Sequence, residues 1–72
     1  MLKILFLDIE TDKLDAEKIH VVVCKDGQTE TLNYFTKANI FNKFILNYDI
    51  LVGHNIVSFD APVLNRLWNS CI

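Results

Sequence analysis

The stretch Leu2-Lys3-Ile4-Leu5-Phe6-Leu7-Asp8-Ile9-Glu10-Thr11 decides how the chain is read. It is an apolar run closed by two carboxylates. A run this apolar has the makings of a central strand buried on both faces. Side chains alternate along a strand, so Asp8 and Glu10 point to the same side. The rise per residue sets them ~7 Å apart. Like charges that close call for a cation or a proton to coexist.

The rest of the chain supplies partners for that strand. Thr11 to Lys18 is polar and charged, and its charges read as a solvated loop. Ile19 to Lys25, IHVVVCK, is β-branched and reads as a second strand. Asp26-Gly27 then predicts a tight hairpin turn with φ > 0 at both positions. The stretch after it, Gln28 to Phe35, is more polar and fits a sheet edge. Loops this short join the three strands as an antiparallel meander. Thr36 is placed to cap a helix from Lys37 to about Asn47, with Phe41, Phe44, Ile45 and Tyr48 on one apolar face. Ile50 to His54 follows as a short strand, and a helix between two strands predicts a parallel crossover onto the first. Ser58 or Asp60 can cap a last helix that has Pro62 in its first turn. Phe59, Val63 and Leu67 form one stripe of it, and Leu64 and Trp68 another. The fold class is α/β with a mixed sheet, and residues 1–72 make one small domain.

Composition narrows the function classes. Apolar residues make up 51% of the chain and charged ones 22%, which excludes a disordered segment. A domain of 72 residues buries only about 60% of its unfolded surface, so an apolar content this high suggests burial against further protein. The net charge of −2 and the lack of a basic tract exclude nucleic-acid binding by bulk electrostatics. Cys24 and Cys71 lack metal-ligand spacing and read as free thiols of a cytoplasmic protein. The Met1–Leu7 start is basic then apolar, but carboxylates stand where a signal peptide needs small residues. No run is long enough to span a membrane, so a membrane partner is not expected.

The chemistry, if there is any, belongs to carboxylates. Asp60, at a helix N-terminus, is favoured as an anion. With the Ile50–Gly53 strand beside the first one, that helix starts at the end of the sheet that carries Asp8 and Glu10. Three hard oxygen ligands there suit Mg²⁺ or Mn²⁺. Each piece alone has a plainer reading: Asp60 as a helix cap, Asp-x-Glu as a strand end, His54 as a structural or turn histidine, Cys24 as core.

Together the pieces carry more. Asp8-Ile9-Glu10-Thr11 resembles the first motif of the DnaQ-like 3′–5′ exonucleases. His54-Asn55-Ile56-Val57-Ser58-Phe59-Asp60-Ala61-Pro62-Val63-Leu64 resembles their second, most of all in the proofreading domains of phage and bacterial family A DNA polymerases. The resemblance implies a ribonuclease-H-like fold, here truncated. It also implies two Mg²⁺ or Mn²⁺ ions and hydrolysis of single-stranded DNA 3′ ends, in a bacterial or phage-infected cytoplasm. By the same resemblance Asp8, Glu10 and Asp60 are catalytic metal ligands, with Asp8 bridging both ions. Ile9, Thr11 and Phe59 shape the pocket for the terminal nucleotide, and Asn55 orders the second motif. The family's third motif, a Tyr or His followed by a final Asp, has no counterpart, since no acidic residue follows Asp60. The resemblance therefore implies a protein partner that carries this motif or the polymerase. The alternative is a non-catalytic truncated or binding protein that docks on a replication polymerase. A phosphatase-like nucleophilic Asp8 would need a second Asp where Glu10 stands, and leaves the second motif unused.

Overall fold

The computed structural model describes residues 1–72. Four strands form one mixed sheet: β1 (Ile4–Thr11), β2 (Ile19–Asp26), β3 (Leu32–Phe35) and β4 (Ile50–Val52). Their spatial order is β3-β2-β1-β4. β1 and β2 are antiparallel, as are β2 and β3, while β4 runs parallel to β1. The meander and the parallel fourth strand therefore follow the sequence pattern. Helix α1 (Ala38–Phe44) tightens into a 3₁₀ turn over Ile45–Asn47 and leads to β4. A π-type turn over Ile56–Asp60 leads into α2 (Ala61–Trp68).

Register sorts the side chains. Leu7 lies opposite Cys24 and Ile9 opposite Val22, and these four are core residues with Leu5, Ile19, Phe35, Phe41, Val63 and Leu64. α1 and α2 both pack on this face, joined through an aromatic contact of Phe41 with Trp68 at 5.6 Å between ring centroids. The expectation that the first strand is buried on both faces is corrected. β1 is central, but its other face is bare, and Phe6 there is 45% exposed. Both helices fall on one side of the sheet, so the second apolar face has no cover. Ile4, Phe6, Val23, Tyr34, Ile50 and Val52 line that face by register, along with Asp8 and Glu10.

Two local expectations also change. The β2–β3 turn is wider than an Asp-Gly hairpin. The Asp26 carboxylate accepts hydrogen bonds from the backbone of Gln28 and Thr29, and the left-handed residue is Glu30, at φ 62°. An Asp side chain that closes its own turn in this way displaces the two-residue geometry. The residue before α1 is Lys37, with no side-chain cap, in place of Thr36. The 12–18 segment is a loop with its charges in solvent, as the sequence pattern suggests, and it is also tied down. Asp12 accepts the backbone N–H groups of Glu17 and Lys18, and Arg66 of α2 donates to the Ala16 carbonyl. No helix is long and apolar enough to cross a membrane.

Candidate functional site

β1 carries Asp8 and Glu10 onto the bare face, both exposed, two residues apart toward its C-terminal end. β4 is clamped beside β1 at its start. The Lys3 backbone N–H donates to the Asp49 carboxylate at 2.8 Å, and the Asp49 N–H donates to the Lys3 carbonyl at 2.8 Å. That pairing fixes where the chain after Val52 emerges: at the end of the sheet toward which Asp8 lies.

The turn after β4 is built on one carbonyl. Asn55 O accepts from the N–H of Phe59 at 2.9 Å and of Asp60 at 3.2 Å, which widens the turn by a residue. Pro62 then starts α2 where no N–H is required. Asn55 therefore orders this segment through its backbone. Ser58 is exposed and does not cap the helix.

Asp60 holds the N-cap position of α2 but makes no capping hydrogen bond, so the cap role is corrected. It is only 4% exposed. No fully buried side-chain oxygen or nitrogen in the protein lacks a hydrogen-bond partner, so the unbonded Asp60 oxygens still touch solvent. Burial pushes the Asp60 carboxyl above the usual range, and the nearby Asp8 charge pushes it further. His54, exposed on the same turn, opposes this through its positive charge. A carboxylate held almost out of water beside another carboxylate is electrostatically unsatisfied.

The structure thus brings Asp8 and Asp60 within mutual influence. No three His, Cys, Asp or Glu side chains form a group that could hold a metal ion, so the convergence of Asp8, Glu10 and Asp60 into one three-ligand cluster is not formed. Glu10 is one strand repeat beyond Asp8, ~7 Å along β1. The side chain of Ile9 lies in the core, on the face opposite the carboxylates. The Thr11 hydroxyl donates to the Lys13 carbonyl at 3.0 Å and shapes the loop. Phe59 is half-buried against the core.

A feature with no signal in the sequence is an open apolar groove of about 750 Å³ beside β4, lined by Ile45, Tyr48, Leu51, Ile56, Val57 and Pro62 among others. It does not include Asp8, Glu10 or Asp60. Its walls come from five separate segments, which is why no run of residues announces it. Neither a family model, nor a curated protein, nor a solved structure matches the chain.

Proposed function

We propose that the chain is the N-terminal part of a metal-dependent 3′–5′ exonuclease domain of the DnaQ-like, ribonuclease-H-like kind, acting on single-stranded DNA ends. The observation that carries this reading is the nearly buried Asp60 carboxylate, without a hydrogen bond, next to Asp8. A divalent cation would relieve both the desolvation and the repulsion, and hard carboxylate oxygens fit Mg²⁺ or Mn²⁺. The order of the two motifs along the chain supports the same reading, as do the central β1 and the parallel β4.

In this reading Asp8 and Asp60 would hold the cation, and Glu10 would have to swing toward them from one strand repeat along β1. When bound, such ions supply an activated water and stabilise the leaving oxygen of a phosphodiester. The chain's own part is to hold the carboxylates in place and to leave the bare end of β1 open to a 3′ terminus. Hydrolysis then requires a further segment with the third motif, in this or another polypeptide.

The test is an amide NMR titration with Mn²⁺. Broadening focused on residues around Asp8, Glu10 and Asp60, and abolished by Asp8→Ala, is the expected result. Broadening without a focus, or unchanged in Asp8→Ala, rejects the reading.

A second reading, a non-catalytic protein that docks on a replication polymerase, draws on the uncovered apolar sheet face. It predicts that Asp8→Ala leaves polymerase binding unchanged and that no hydrolysis occurs with the partner present.

A further inference from the structure

Gly53 joins β4 to the turn that carries Asp60. Its backbone gives no reason for glycine, because no glycine in the protein has a positive φ. Space gives one. A Cβ at position 53 would stand 2.8 Å from Asp60 Oδ2, and 3.2 Å from both the Leu7 carbonyl oxygen and Ile56 Cβ. A Cβ essentially never approaches another heavy atom as closely as the first of these distances. The Leu7 carbonyl belongs to the central strand and Ile56 to the hydrogen-bonded turn, so neither yields easily. The Asp60 carboxylate is the group free to rotate.

We infer that Gly53 is a positioning residue: its missing side chain is the seat on which the Asp60 carboxylate rests, and this seat sets how close Asp60 comes to Asp8. A methyl group there would lift the carboxylate off the end of β4 and spread the pair while leaving every ligand in the chain. The consequence for cation binding rests on the metal reading above, whereas the seat itself does not.

The experiment has two readouts. The first is a double-mutant cycle in urea unfolding, with Gly53→Ala made in the wild type and in an Asp60→Ala background. Because the carboxylate can rotate away, the seat predicts a modest fall of the unfolding midpoint in the wild type and a smaller one where Asp60 is already gone. Equal falls, or a double variant that fails to fold as Gly53→Ala does, overturn it and assign the glycine to the Leu7 and Ile56 contacts. The second readout is the Mn²⁺ affinity from paramagnetic broadening. Gly53→Ala should weaken it about tenfold or more, as loss of a residue that orients a ligand does. Unchanged affinity in a folded Gly53→Ala overturns the positioning role. If the wild type shows no focused Mn²⁺ binding, the metal reading fails, and the cycle alone decides the seat.

Discussion

Phe41→Ala tests whether one aromatic cluster holds the helices to the sheet. Phe41 is wholly buried, with ring centroids 5.7 Å from Phe35 and 5.6 Å from Trp68. Phe35 in turn stacks on Phe44 at 4.7 Å, so β3, α1 and α2 meet at this point. Truncating a buried Phe to Ala costs about 3–5 kcal/mol, through lost transfer energy and the cavity left behind. Domains hold roughly 0.05–0.15 kcal/mol per residue, or roughly 4–11 kcal/mol at this length. The bare sheet face argues for the lower end of that range. The substitution should therefore remove most of the stability, and lower Tm by at least about 12 °C at the usual conversion for small domains. The control is Ile40→Ala, one residue earlier on the same helix, where the side chain is 53% exposed. It should stay within about 0.5 kcal/mol of the wild type. Urea unfolding, followed by the fluorescence of the single Trp68 and by far-ultraviolet circular dichroism, measures both. If the two variants fall within about 1 kcal/mol of each other, the cluster does not hold the fold.

Three further outcomes follow from the charges and thiols. The Asp60 carboxyl titrates above its ordinary 3.8 when folded, with Asp8 and His54 as its charged neighbours. The stability linked to its protonation is present below that value and lost as pH rises through the folded pKa, so Asp60→Asn should raise stability at pH 7 and lose that advantage in acid. Urea midpoints across pH check this, and a variant less stable than the wild type at pH 7 contradicts it. Asp26 is the opposite case. Its turn hydrogen bonds from Thr29 and Gln28, with that from Tyr48 at 2.7 Å, pull its pKa from 3.8 down to about 2. Its contribution is present above 3.8 and lost as pH falls through about 2. Asp26→Asn should therefore destabilise the protein at pH 7, by a margin that closes in strong acid, and a pH-independent difference refutes the role. Burial raises the Cys24 thiol to about 12, whereas Cys71 is exposed. An aromatic disulfide reagent should modify one thiol in the folded protein and two in urea, and equal rates for both would show that β2 is not packed as described.

The local pattern of the chain was legible because it rests on short-range rules. Alternation along Ile4–Thr11 put Asp8 and Glu10 on one side, and β-branching marked Ile19–Asp26. The helix between two strands announced the parallel β4. The turn at Asp26 departs from the local pattern because the carboxylate closes a wider loop than the Asp-Gly pair suggests. The apolar character of β1 did not reveal that one of its faces is bare, because that depends on where both helices pack.

The sequence by itself determined the strands, the helices and which residues carry charge, since period and propensity act within a few neighbours. Tertiary structure alone decided how deeply Asp60 is buried, and that Gly53 leaves room for it. Those relations join β1, β4 and the turn before α2, and long-range packing sets such distances where local pattern does not.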